Sequence, residues 1–385
     1  MFSSRVPGEL EPNRLTMALR RARAANRALL DLTVTNPTTV GFDYPSSMLA
    51  GLGAPEAMRY APRAFGMASA RAAVAADYRR RGISVAPDDV VLTASTSEAY
   101  TLLFKLLCEP AGDAVLVPVP SYPLFDHLTR LDGIRALPYR LAYHGRWVVE
   151  IDTVDAAWTP SVRAVLGVSP NNPTGSILAA DELAALESRC AERDAALILD
   201  EVFADYTLID GVLGDAPASC LRFRLGGLSK SAGLPQVKLG WIAVDGPRRL
   251  VDAALERLEL ICDTYLSVST PVQVAAPALI ESGATVRRAI VERIRRNYAT
   301  LGELTARHPA VERLHADGGW SAVVRVPSTR SEEDLVIELL ERDGVVVHPG
   351  FFFDFAHEAY LVVSLLPEPA AFREGVSRML ERADA

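Results

Sequence analysis

A lysine, Lys230, lies among small residues in the stretch Gly226-Gly227-Leu228-Ser229-Lys230-Ser231-Ala232-Gly233-Leu234-Pro235, behind an apolar segment and ahead of a Gly/Pro-rich turn. Tight backbone of this kind holds an amine away from water, where it gives up its proton more readily and attacks a carbonyl carbon. The chemistry this suggests is Schiff-base formation. Eight residues on stands a second cation, Lys238, before an apolar run from Leu239 to Val244 that reads as a buried strand. One amine for an aldehyde and one charge for a phosphate describe a site for pyridoxal 5′-phosphate. A solvated Ser-Lys-Ser turn looks the same in isolation, so the decision rests on the other polar clusters.

The run Thr93-Ala94-Ser95-Thr96-Ser97-Glu98 places hydroxyls between a strand and a helix. The first N–H groups of such a helix, with Ser95, Thr96 and Ser97 beside them, suit a phosphate. Plain capping by Ser95 or Thr96 explains the same residues. Tyr122, in Pro120-Ser121-Tyr122-Pro123, follows a strand and offers a face to a flat heteroaromatic ring, although such turns are common without one. Ser169-Pro170-Asn171-Asn172-Pro173-Thr174-Gly175 is more specific. Its two prolines and its glycine fix a loop that aims the Asn172 amide at a phenolic oxygen; a purely structural Asn-Pro turn stays open. Leu197-Ile198-Leu199-Asp200 ends a buried strand in a carboxylate that needs a cationic partner. A protonated pyridine nitrogen is such a partner, and Asp200 would keep the ring an electron sink. A metal ligand or a helix cap is the competing assignment.

The elements that must position these groups read as an α/β fold. Apolar runs at Val90 to Thr93, Ala114 to Pro118, Ala164 to Val168, Ala195 to Leu199 and Leu239 to Val244 alternate with helical stretches such as Ser97 to Leu107 and Ala179 to Arg193. Runs apolar on both faces predict a mostly parallel sheet covered by helices on both sides, with its site at the C-terminal strand ends. Residues 46–285 are expected to form this large domain. A smaller α+β domain is expected from residues 1–45 and 286–385, with a helix from Pro12 to Leu30, a helical region from Val272 to Arg307, and strands at Ser321 to Val326, Val345 to His348 and Tyr360 to Leu365.

Composition excludes several classes. The 385 residues are 49% hydrophobic and 23% charged, enough for two cores, and the net charge of -8 with no basic stripe argues against nucleic acid or an acidic membrane surface. The four cysteines and six histidines are scattered without metal-ligand spacing, so no metal is expected. Met1 to Arg5 lacks the apolar core of a signal peptide and no apolar run reaches membrane-spanning length, so a cytoplasmic protein is expected.

Taken in order, Ser-Thr-Ser, Ser-Tyr-Pro, Asn-Asn-Pro-Thr-Gly, Asp-Glu-Val and Ser-Lys resemble the class I/II aminotransferases, the aspartate aminotransferase-like branch of the fold-type I pyridoxal-phosphate enzymes, over nearly the whole chain. The resemblance implies a homodimer with its active sites at the subunit interface. It implies transfer of an amino group from an amino acid or related amine to a 2-oxo acid. It makes Lys230 the residue that bonds the cofactor and moves the proton, with Ser229 beside it, and pairs Asp200 with the pyridine nitrogen. Tyr122 would stack on the ring, Asn172 contact its phenolic oxygen, and Thr96, Ser97 and Lys238 hold the phosphate. Tyr60 matches a tyrosine that reaches the neighbouring subunit's phosphate; a surface or core tyrosine is the plainer assignment.

Three positions depart from the family pattern. Phe203 stands where a tyrosine usually donates to the phenolic oxygen, and phenylalanine has nothing to donate. Lys238 stands where many relatives have arginine. Val362 stands where an arginine usually clamps the substrate α-carboxylate. Thr35 and Asn36 are placed beside the substrate, with Arg325, Arg63 and Asn36 as candidates to replace the missing guanidinium. That loss keeps open another pyridoxal-phosphate reaction class, such as a lyase, decarboxylase, oxidase or cyclase. A non-enzymatic cofactor-binding protein is a third possibility, disfavoured by the intact Lys230 and Asp200.

Overall fold

Side chains alternate across a strand, so runs that are apolar at every position need cover on both faces. The structure, a computed structural model describing residues 2–8, 11–209 and 217–384, answers this with an eight-stranded sheet. Its order is Val90–Thr93, Gly240–Asp245, Arg222–Gly227, Ala196–Asp200, Val162–Val168, Ala114–Val119, Arg135–Tyr143, Trp147–Val149. Neighbours run parallel from Arg222–Gly227 through Arg135–Tyr143. Gly240–Asp245 is antiparallel to both of its neighbours, and Trp147–Val149 closes the far edge antiparallel.

Val117, Leu166, Ile198, Leu225 and Ile242 point to one face, against the helices Thr96–Leu107, Leu124–Asp132 and Arg248–Tyr265. Leu116, Val165 and Leu197 point to the other, where Leu186 and Cys190 of Ala180–Glu192 cover them. Beside them Leu92 and Trp241 pack with the helices Ala68–Arg80 and Thr270–Thr305. The last of these helices is continuous through residues 285 and 286.

A four-stranded antiparallel sheet follows, in the order Glu312–Arg313, Ser321–Arg325, Tyr360–Ser364, His348–Pro349. The expected strand from Val345 to His348 is split in two. Val345–Val346 pairs parallel with Leu30–Asp31, while His348–Pro349 pairs with Tyr360–Ser364, setting His348 opposite Val362. The expected helix from Pro12 to Leu30 is shorter, Arg14–Ala24, opened by Asn13, whose side chain accepts from Thr16 N–H at 2.8 Å. Downstream of it the chain is tied to the small sheet: the Ser364 N–H donates to Leu32 O and its hydroxyl to Val34 O, both at 2.6 Å. Among the described residues, no helix is long and apolar enough to cross a membrane.

Candidate active site

Lys230 sits in a single helical turn, Leu228–Ser231, directly after the strand Arg222–Gly227. Its backbone is over-determined. Tyr206 donates its hydroxyl to Lys230 O, Gly233 N–H bonds the same carbonyl at 3.0 Å, and Arg287 donates to Ser231 O at 3.1 Å. The amine lies 4.8 Å from the centre of the Trp320 ring and 5.3 Å from that of Phe203, whose planes meet edge-on. Burial pushes Lys230 down to about 8, against the pull of the Asp200 carboxylate. An amine so placed holds a substantial neutral fraction at mildly alkaline pH.

Asp200 ends the strand Ala196–Asp200 and is buried. Tyr100 donates to its Oδ2 at 2.9 Å and Val202 N–H to its Oδ1 at 3.1 Å. Burial nevertheless drives the carboxyl up to about 6, because the two hydrogen bonds and Lys230 only partly offset it and Glu201 pushes the same way. The carboxylate is therefore short of positive charge.

Tyr100 belongs to the helix Thr96–Leu107, so the element that fixes Asp200 also begins at the hydroxyl-rich turn around Ser95. Ser95 is the N-cap: its hydroxyl accepts from Glu98 N–H at 3.1 Å, while Glu98 reaches back to Ala94 N–H at 2.6 Å. The N–H groups of Thr96 and Ser97 belong to the first turn, where a helix offers no acceptor of its own. Gly240 lets the neighbouring strand approach this turn, since a Cβ there would meet Ser95 C at 2.9 Å and Thr96 N at 3.1 Å. Lys238 holds left-handed backbone, φ 58°, uncommon for a side chain of this kind.

These groups share one cavity of about 470 Å³. Lys230, Ser229, Asp200, Asn172, Tyr122, Ser95, Thr96, Ser97, Lys238, Phe203, Thr35 and Val362 all line it. Tyr60 does not: it is 75% exposed, on a separate shallow groove with Arg63. Asn36 is not among the lining residues either, and its side-chain oxygen accepts from the N–H and hydroxyl of Thr38 at 3.0 and 2.7 Å. Neither arginine offered as a replacement clamp reaches the cavity. Arg325 pairs with Glu312 on the exposed side of the small sheet, and Arg63 is exposed.

Tyr100, Trp320, Ser321 and His348 also line the cavity without having been singled out as site residues. Tyr100 was findable, since it lies one helical turn from Thr96 and faces the same way. Trp320 was not, because its place depends on three distant loops meeting. Asp317 and Gly318 N–H both bond Gly175 O, at 3.0 and 2.9 Å, and Gly319 N–H bonds Tyr206 O at 2.7 Å. Gly175 permits this approach: its φ is 70°, and a Cβ would stand 2.5 Å from Gly318 O.

The residues present fit pyridoxal 5′-phosphate on chemical grounds. A buried carboxylate lacking charge suits a cationic ring nitrogen, a depressed amine suits an aldehyde, and a helix N-terminus beside Lys238 suits a phosphate.

Comparison with known proteins agrees. A family model described as aminotransferase class I and II matches residues 47–377. The chain is 25% identical over 375 residues to a glutamate-pyruvate aminotransferase of Haemophilus influenzae, covering 94% of this chain and 92% of that protein. It is 26% identical over 381 residues to an alanine aminotransferase of Mycobacterium tuberculosis, covering 93% and 86%. The fold is shared with an aminotransferase from Escherichia coli, with a TM-score of 0.87 at 23% identity over 99% of this chain and 97% of that one. It is shared also with an aspartate aminotransferase from Thermus thermophilus with maleate, with a TM-score of 0.83 at 24% identity over 99% of each chain.

Proposed function

Because the chain belongs to the class I and II aminotransferases, we propose that it moves an amino group from an amino acid or related amine to a 2-oxo acid, with Lys230 as the reacting amine. One observation carries this reading. Lys230, pushed down to about 8, lines the same cavity as Asp200, pushed up to about 6, so an amine and an acid have each been moved toward neutrality by one enclosure.

Pyridoxal 5′-phosphate supplies, when bound, an aldehyde that condenses with amines and a cationic ring that withdraws electrons. Thr96 and Ser97 N–H groups and Lys238 would hold its phosphate. Asp200, oriented by Tyr100, would accept the ring N–H and keep it protonated. Tyr122 would pack on the ring and Asn172 would meet its phenolic oxygen. The Lys230 amine would serve as the base that takes the proton from the substrate Cα. The Trp320 and Phe203 rings exclude water around that amine, which keeps its pKa low enough to act as a base.

Further readings go with this one. The working unit is proposed to be a homodimer, supported by Met58 at 89% and Tyr60 at 75% exposure on one segment with Tyr265 beside it. The division into 46–285 and 1–45 with 286–385 remains part of the proposal. A cytoplasmic location is supported by four free, buried thiols. The other pyridoxal-phosphate reaction classes are not favoured, since the relatives reported above are named aminotransferases.

The test is reversible amino transfer. The holoenzyme's absorbance should change on adding an amino donor, a carbonyl product should appear, and a 2-oxo acid should restore the starting spectrum. Product without restoration contradicts the proposal.

A further inference from the structure

The cavity has a second end, closed by the small sheet, and its chemistry differs from that of the cofactor end. Val362, 2% exposed, lies on the strand Tyr360–Ser364 with its Cα opposite His348 and Val323. No arginine lines the cavity among the described residues, and its only basic side chains are Lys230, Lys238 and His348. The two lysines are taken by the aldehyde and the phosphate. What remains for a substrate is His348.

His348 packs edge-on to Phe353 and tilted against Phe352, with centroids 5.8 Å away in each case. Burial lowers its pKa, with the Asp31 carboxylate pulling the other way, so the ring is neutral at neutral pH. Neither ring nitrogen has a hydrogen-bond partner among the described residues. Two of the hydroxyls that line the cavity with it are already engaged. Ser364 donates to Val34 O at 2.6 Å and accepts from Leu366 N–H at 3.2 Å, and Thr33 donates to Asp31 Oδ1 at 2.6 Å.

A carboxylate at this end would lose water over a valine floor and gain no cation, with the Asp31 charge close by. A hydroxyl can pair with either nitrogen of a neutral imidazole, as acceptor from its N–H or as donor to its bare nitrogen, and brings no charge into the cavity. We propose that this site takes a primary amine whose neighbouring carbon carries a neutral hydroxyl in place of an α-carboxylate, a 2-amino alcohol, with His348 as the residue that selects it. The proposal rests on the transaminase reading. The transfer balances: C–NH₂ becomes C=O with oxygen from water, and the nitrogen passes to a 2-oxo acid, whose own carboxylate meets the same valine and therefore saturates the site only at high concentration.

The test uses holoenzyme and two matched ligands that carry no Cα–H and so bind without proton transfer, 2-amino-2-methylpropan-1-ol and 2-aminoisobutyrate. Binding is read by calorimetry and absorbance titration. The alcohol should bind at least about tenfold more tightly than the carboxylate. His348→Leu should lose about tenfold on the alcohol alone, and His348→Gln, which restores a donor and an acceptor, should recover it. Val362→Arg should reverse the preference. The comparison in the native protein stands even if a variant fails to fold. A carboxylate bound as tightly as the alcohol overturns the proposal alone; if Arg63→Ala then abolishes that binding, the exposed arginine of another copy is the clamp. No spectral response to any amine of either series overturns the transaminase reading and the proposal with it.

Discussion

Replacing Asp200 with asparagine should change how the cofactor-free protein responds to pH. In the folded chain the carboxyl titrates at about 6 against an ordinary 3.8, a difference worth ~3 kcal/mol. The folded state therefore holds that proton more tightly than the unfolded one. Stability from this group is fully present below pH 3.8 and is lost as pH rises through about 6. Asp200→Asn has no such titration. The asparagine also puts its amide nitrogen against one of two donors, Tyr100 OH or Val202 N–H, an offset of ~1 kcal/mol that does not vary with pH. Urea unfolding of both proteins from pH 4 to 7.5, at one protein concentration and without cofactor, should show the variant gaining ~2 kcal/mol on the native protein as pH rises, the rest having been lost below pH 4. Loading the native protein with pyridoxal phosphate should remove that slope, because a cation beside Asp200 lets it stay ionised. A difference that is flat with pH, or one that grows in favour of the native protein, refutes the account of Asp200.

Three other substitutions probe separate parts of the site. Phe203→Tyr places a donor near the phenolic oxygen, so the cofactor's absorbance should titrate about one to two pH units lower than in the native holoenzyme; coincident titrations would refute this. Ser95→Ala should lower stability by ~1 kcal/mol through loss of the helix cap and leave cofactor affinity within about threefold, whereas a tenfold loss would put the hydroxyl on the phosphate. Gly240→Ala pushes a methyl to within 2.9 Å of Ser95 C and 3.1 Å of Thr96 N. It should weaken cofactor binding by about tenfold or more and cost ~1–3 kcal/mol in thermal unfolding, and unchanged affinity would mean that the turn does not hold the phosphate.

Much of this is legible in the sequence where the signal is local. The strands at Val90, Ala114 and Ala196 are uniform apolar runs, and the polar residues just beyond them fall where parallel sheets place their sites. Arg222–Gly227 escaped because Arg222 and Arg224 interrupt its apolar pattern, yet both are buried. Their charges are met by Glu187, Asp245 and Glu201, which come from three other parts of the chain. Arg135–Tyr143 escaped because it lies near the sheet edge, carries Pro138 and alternates with exposed residues such as Arg135 and Arg140. At the site, the motif residues announced themselves by type, whereas His348 and Ser321 owe their place to strand register in a separate sheet. The Asn36 side-chain oxygen caps its own turn, a use that an Asn-Pro-Thr sequence serves as well as it serves a substrate contact.

Whether the Lys230 amine bonds the cofactor is read by borohydride reduction of the holoenzyme followed by peptide mapping. One reduced cofactor should be fixed to the peptide carrying Lys230, and none in Lys230→Ala. Cofactor fixed at another lysine, or released unreduced from a folded native protein, would contradict Lys230 as the bonding amine.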